Sequence, residues 1–254
     1  MSDELKRCPF CDEEIRLNAL ICKHCQQWMP GYTYESAIRD LVIAKQVTER
    51  KGGEAVESHS REEQLEIALN WAKGDKSISL QRADLAAQNL SGVDLSGVDL
   101  SEADLRETDL SQANLKEANL TKANLFRANL KGANLRKANL TEAYMRDADL
   151  ERADFSGANL LKANLRATHL MHAILYRVDL EGANLKFADL REANLKESYL
   201  KETNLELTKT VGAILSGALL IKTNLTGSDM DSFQYKRART LEGAILPNGR
   251  EYEE

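Results

Sequence analysis

Proline and aromatic residues are scarce in this chain: 3 prolines and 6% aromatics in 254 residues, while Leu, Ala, Asn, Asp, Lys, Arg and Glu crowd one region. That bias shifts the expectation away from the one or two ordinary globular domains that length alone suggests. Long apolar runs are missing too. The longest, Val211 to Ile221, falls far short of the roughly 20 residues of a membrane-spanning helix. The opening residues, MSDELKR, are charged and lead into no apolar core, so no secretory signal is expected. Charge of one sign is also lacking. The formal net charge of −6 speaks against a strongly basic nucleic-acid binder and against a polyacid. No cysteine follows Cys25, and all 4 lie between Cys8 and that residue. A reduced, cytoplasmic compartment without membrane attachment is expected, where clustered thiols hold metal more often than they form disulfides.

What is present is a repeat. Every fifth residue from Leu80 to Leu205 is Leu, apart from Met145 and Phe155. Two residues before each stands a small side chain, mostly Ala, and the residue between is usually Asp or Asn. The two residues after each Leu vary and are mostly charged or polar. A period of five suits neither regular element. On an α-helix, successive leucines advance by about 140° and leave no buried stripe. On a flat strand, an odd spacing throws alternate leucines onto opposite faces. The chain must therefore turn a corner once per repeat, so that each Leu points at a common axis. That describes a coil of short sides stacked on itself, with coils about 4.8 Å apart. Small residues at the Ala positions let two inward side chains per side share a narrow lumen. Asn and Asp suit turns, bond nearby backbone, and form ladders when stacked.

The motif A-[DN]-L-x-x, as in Ala113-Asn114-Leu115 and Ala133-Asn134-Leu135, resembles the pentapeptide-repeat family. The resemblance covers about two thirds of the chain. It implies an all-β, right-handed, four-sided β-helix with twenty residues per coil, hence roughly eight coils over residues 78–246 and a rod of about 40 Å. The pattern weakens at Thr208-Lys209-Thr210, resumes at Ala213-Ile214-Leu215, and slips by one residue near Arg239 to Leu241. Gly243 to Pro247 reads as a final side out of register, with the proline ending the pairing.

Ahead of the repeats, Cys8-Pro9-Phe10-Cys11 and Cys22-Lys23-His24-Cys25 form two C-x2-C knuckles separated by ten residues. Four thiolates suffice for a closed tetrahedral, structural Zn²⁺ site, with His24 left outside it. A redox dithiol is the alternative, but it calls for a βαβ context that is absent. The layout resembles short zinc ribbons, although Gln26 stands where many of these have Gly. Residues 34–50 carry Ile38, Leu41, Val42 and Lys45 at helical spacing. Residues 51–60 read as a linker. Ser60 and Glu63 make a capping box for a helix whose Leu65, Leu69 and Trp71 are expected to cover the first coil. The expected organisation is a zinc ribbon over 1–30, a helical linker and cap over 31–75, the β-helix over 76–246 and a tail over 247–254.

No nucleophile–base–orienter set or phosphate loop is visible, and His169 and His172 read as exposed surface histidines, so no enzyme is expected. A non-catalytic scaffold that binds a protein partner is the leading expectation. Direct nucleic-acid binding, through a basic side and the ribbon, is a second. A third comes from the resemblance: quinolone-protecting members of the family mimic B-DNA and occupy the DNA site of gyrase, a topoisomerase. Such mimicry needs outward carboxylates. From residue 81 to 207, however, the two variable positions carry 17 Lys or Arg against 11 Asp or Glu, and nine Asp before Leu bring the balance only to −3. With twenty residues per coil, the side through Leu105, Leu125, Met145, Leu165 and Leu185 gathers Arg106, Arg127, Arg146, Arg166 and Lys186 with Phe126, Tyr144 and Phe187. Arginine beside aromatics is what binding hot spots favour. A competing patch, Ile174, Ile214, Leu219 and Ile221, suits self-association as a homodimer.

Overall fold

The computed structural model describes residues 5–7, 14–16, 59–74 and 79–253. The chain divides into two units, Met1–Arg50 and Lys51–Glu254. In the first, β1 (Leu5–Arg7) pairs antiparallel with β2 (Glu14–Arg16), setting Arg7 opposite Glu14. Cys8, Cys11, Cys22, Cys25 and the helix expected over 34–50 lie outside the described residues.

The second unit is the coil that the five-residue period demands. Parallel bridges join Asp84 to Asp104, Asp104 to Asn124, and so on to Asn204 and Asn224, always twenty residues apart. Four such columns run side by side, so the coil has four sides. The leucines from Leu80 to Leu205, with Met145 and Phe155, are buried at 1% exposure or less, as are the alanines two residues before them.

Most repeats satisfy their five backbone N–H groups in one fixed way, which explains their composition. Leu95 donates to Asn114 O at 2.8 Å and Gly97 to Lys116 O at 2.8 Å, both in the following coil. Val98 closes a turn onto Leu95 O at 3.2 Å, and Asp99 is the bridging residue. In later coils the bridging residue donates backwards, as Asn119 does to Val98 O at 2.8 Å. Ser96, just after the Leu, has no backbone acceptor and donates to Asp94 Oδ1 at 3.0 Å. Where Asp or Asn precedes the Leu, its side chain therefore supplies the one acceptor that the backbone lacks.

The turns add a feature that only the glycines mark in the sequence. Every fifth residue from Arg82 to Gly227 has a positive φ, between +52° and +77°, and most are not glycine. A negative φ followed by a positive one is the type II turn. Polar lumen residues are satisfied within the stack: Thr108 Oγ1 donates to Leu85 O at 2.8 Å and Ser198 Oγ to Leu195 O at 2.6 Å.

Both ends are met by chain outside the regular coils. Helix α1 (Arg61–Ala72) opens with the capping box of Ser60 and Glu63. Leu65, Leu69 and Trp71 pack on the lumen cluster as expected, but Ala68 and Gln64 lie deepest. Gln64 Oε1 accepts the Asp84 N–H at 2.6 Å, in place of a preceding coil. Thr208 to Thr210 continue the coil rather than break it. Thr210 fills a Leu position, fully buried, with its Oγ1 on Asp229 Oδ1 at 2.8 Å. After Met230 a short helix, α2 (Ser232–Tyr235), leaves the coil. The chain returns one residue out of phase, pairing Leu219 with Thr240 and Asn224 with Ile245. Pro247 O still accepts the Gly227 N–H at 2.8 Å, and the chain then folds back to set Ile245 antiparallel to Glu251.

Candidate partner-binding wall

The wall is one column of the coil, bridged through Asp104, Asn124, Tyr144, Asn164, Asn184 and Asn204. The twenty-residue coil brings all eight candidate residues onto it. It does not leave them equally accessible. Phe126, Arg106, Lys186 and Phe187 are half-buried and Arg127 is exposed. Tyr144, Arg146 and Arg166 are buried, at 4%, 4% and 6% exposure. The sequence reading placed these three outward and available. Coils under 5 Å apart instead stack large side chains onto one another along the wall.

The contacts show the stacking. The rings of Phe126 and Tyr144 lie 6.1 Å apart, and Arg127 sits over Phe126 at 5.0 Å. Phe187 takes Arg166 at 4.8 Å and Lys186 at 5.2 Å. Arg106 grips Asp104 with two donors, at 2.8 and 2.6 Å, and that hydrogen bond raises its pKa. Burial lowers the pKa of Arg146, against an attraction to Asp147 and with added repulsion from Arg166. Asn124 records the crowding. Its Nδ2 is buried with no hydrogen-bond partner among the described residues. The ladder acceptor below it, Asp104, is already held by Arg106, and Tyr144 stacks above.

The surface, the wall included, is laced by ion pairs one coil apart, which no single-repeat reading reveals. Lys131 Nζ lies 2.7 Å from Glu151, Lys186 from Glu206 and Lys201 from Glu181 at the same distance, and Arg177 pairs Glu197 at 2.7 Å. The hydrogen bond from Lys131 holds the Glu151 carboxyl below its ordinary range. His169 is exposed, and His172 Nδ1 lies 3.2 Å from Glu192. The competing apolar patch does not form one cluster. Ile174 and Ile214 are exposed in one column with Asn194 between them, whereas Leu219 stacks on Tyr199 in another. No helix among the described residues is long and apolar enough to cross a membrane.

Comparison with known proteins agrees with this architecture. The family model for pentapeptide repeats matches in 8 copies between residues 78 and 232. HetL, a pentapeptide repeat protein involved in heterocyst differentiation regulation in the cyanobacterium Nostoc, is 31% identical. That match covers 74% of this chain and 98% of HetL, with a TM-score of 0.29. A trypsin-treated form of QnrB1, a plasmid-mediated fluoroquinolone resistance protein, is 23% identical over 61% of this chain and 77% of its own, at a TM-score of 0.42. A pentapeptide repeat protein of the Arabidopsis thaliana thylakoid lumen is 27% identical over 59% and 74%, at a TM-score of 0.24. No curated protein matches. The family rests on the sequence match together with the coil seen here: this chain belongs to the pentapeptide-repeat family of right-handed β-helices.

Proposed function

We propose that this protein is a non-catalytic scaffold whose β-helix binds a protein partner through the wall of Arg106, Phe126, Arg127, Lys186 and Phe187. The gathering of both phenylalanines and three cations on one column, with Phe126 and Phe187 partly open to solvent, carries the reading. Aromatic rings backed by arginine offer large contact area at small entropic cost. Tyr144, Arg146 and Arg166 then act as the packed support beneath them. A polyphosphate partner fits less well, because Arg106 and Lys186 already hold carboxylates that a phosphate has to displace.

We also propose that Cys8, Cys11, Cys22 and Cys25 hold one Zn²⁺, making the first unit a second contact surface. Four thiolates suit zinc, and the antiparallel pairing of β1 with β2 on either side of Cys8 and Cys11 suits a knuckle.

Affinity capture from the native host, read by mass spectrometry, tests the wall. The variant Phe126→Ser/Arg127→Ser/Phe187→Ser is expected to lose the partner at an unchanged melting temperature, since Arg146 and the lumen are left intact. Undiminished capture by this variant overturns the assignment. A salt-dependent mobility shift of duplex DNA identifies nucleic acid as the partner instead.

A further inference from the structure

The last coil is missing one side. In every complete coil the inward Leu and the residue two after it donate their N–H groups to the following coil. On the side holding Ile214, the following coil is absent, because the chain leaves at Asp231 as α2 and rejoins only at Arg237, whose carbonyl accepts the Gly217 N–H at 3.1 Å. The N–H groups of Gly212 and Leu215 consequently face the gap with no hydrogen-bond acceptor among the described residues. The one acceptor on this edge that normally receives a bridging N–H, Ala213 O, takes the Gln234 side-chain amide at 3.2 Å. The same amide reaches Thr210 O at 2.6 Å.

Side chains turn this gap into a groove. Val211, Ile214 and Phe233 line it at 60%, 47% and 66% exposure, and its volume is about 320 Å³. Asp229 and Asp231 line it as well, against one cation, Arg237, which stacks on Phe233 at 4.2 Å. An unpaired strand edge beside exposed apolar surface is a template for another strand.

We propose that this groove binds an extended peptide segment of a partner protein, which adds the missing side of the last coil by β-augmentation. Two backbone carbonyls three residues apart, the spacing of Lys116 O and Asn119 O that serve Gly97 and Leu100, meet the N–H groups of Gly212 and Leu215. An apolar side chain packs between Ile214, Val211 and Phe233, and a flanking Lys or Arg answers the excess of carboxylate. This chain's own tail does not serve, because Pro247 and Tyr252 are already paired with Gly227 and Ala244 on other sides. The site shares no residue with the wall of Phe126 and Phe187, so either can fail without the other.

A labelled synthetic peptide of the form Lys-Val-Thr-Val-Lys, titrated by fluorescence anisotropy into the full chain, tests the proposal. Ile214→Asn/Phe233→Ser is expected to weaken binding at least tenfold without lowering the melting temperature. A peptide with Ser for Val, or Glu for Lys, should lose affinity similarly. Hydrogen exchange supplies the second readout: the amides of Gly212 and Leu215 exchange fast in the free protein and slow on peptide addition. Equal binding by the Ser peptide, or binding without protection of these two amides, overturns the proposal. Slow exchange of both amides in the free protein, with a concentration-dependent dimer in sedimentation, assigns the groove to a second copy and overturns it as well.

Discussion

Asn114 Nδ2 donates to Asp94 Oδ1 across one coil at 2.8 Å, while Asn114 Oδ1 accepts from Asn134 Nδ2 at 2.9 Å and from the Lys116 N–H at 3.3 Å. One side chain thus joins three coils and caps its own turn. Asn114→Ala removes all of this, and about 1–2 kcal/mol of stability is expected to go with it. Asn114→Asp keeps the acceptor but sets a carboxylate against Asp94. Its loss should shrink as salt is raised, relative to wild type, whereas that of Asn114→Ala should not. Urea denaturation at two salt concentrations separates them. Identical salt behaviour of the two variants contradicts the ladder.

The converse change is expected to stabilise. Ile174 takes a position normally held by Asx and is 39% exposed, so Tyr176, two residues on, lacks the side-chain acceptor that other repeats supply. Ile174→Asn provides one, between Asp154 and Asn194 in the column. A gain of at most about 0.5 kcal/mol is expected, since a net hydrogen bond contributes on that scale and the covered part of the Ile offsets some of it. Thermal denaturation showing a loss above about 1 kcal/mol means that the exposed Ile contributes more than the capped turn does.

The lumen separates inward from outward positions most sharply. Leu135 and Ala133 are fully buried, whereas Lys137 lies outward, 3.9 Å from Glu117. Leu135→Asp buries a charge without a partner and should cost several kcal/mol, on the order of 3 or more. Ala133→Leu overpacks the coil at about 1–3 kcal/mol. Lys137→Glu is expected within about 0.5 kcal/mol. Denaturant titration ranks the three, and a largest effect from the outward change reverses the inward/outward assignment.

The lumen, the slip at Arg239 to Leu241 and the cap by Leu65, Leu69 and Trp71 were legible in the sequence, because burial acts on every repeat alike. What depended on the neighbouring coil was harder to see. The pairing of Lys131 with Glu151 joins residues twenty apart, and only the coil number relates them. The burial of Tyr144, Arg146 and Arg166 has the same origin, since each is covered by the coil above or below. Helix α2 did leave a local signal, the reciprocal capping of Asp231 and Gln234. The polar stretch around it hid the missing side of the last coil. The left-handed turn residues left a partial signal: every glycine between residues 80 and 230 falls at this position, but Glu, Lys, Arg and other side chains fill most of the remaining repeats.

Those turn residues yield a counterintuitive expectation. Ala167 has φ +55° and sits in a turn. An L-residue there costs about 1–2 kcal/mol of steric strain. Replacing Ala by Gly relieves it, and the added freedom of the unfolded chain costs about 0.4–1 kcal/mol. Ala167→Gly is therefore expected to be neutral or stabilising, by up to about 1.6 kcal/mol, the opposite of its effect in a helix. Ala167→Val, β-branched in the same conformation, should destabilise by more than about 1 kcal/mol. A Gly variant less stable than the Val variant contradicts the turn geometry.

The proposed zinc site predicts that the two units unfold separately in solution. Metal binding supplies most of the folding free energy of a unit this small, about 10–16 kcal/mol for comparable zinc peptides. The coil from Leu80 onward contains no cysteine and draws its stability from the lumen. Chelation is therefore expected to unfold residues 6–29 and release one equivalent of zinc, with the thermal transition of the β-helix moving by no more than a degree or two. Cys22→Ser should behave like the chelated protein. Metal analysis of reduced protein, calorimetry with and without chelator, and amide spectra of residues 6–29 report on the three expectations. Absence of zinc from reduced protein refutes the site. A large drop in the rod's transition on chelation shows instead that the first unit supports the coil directly.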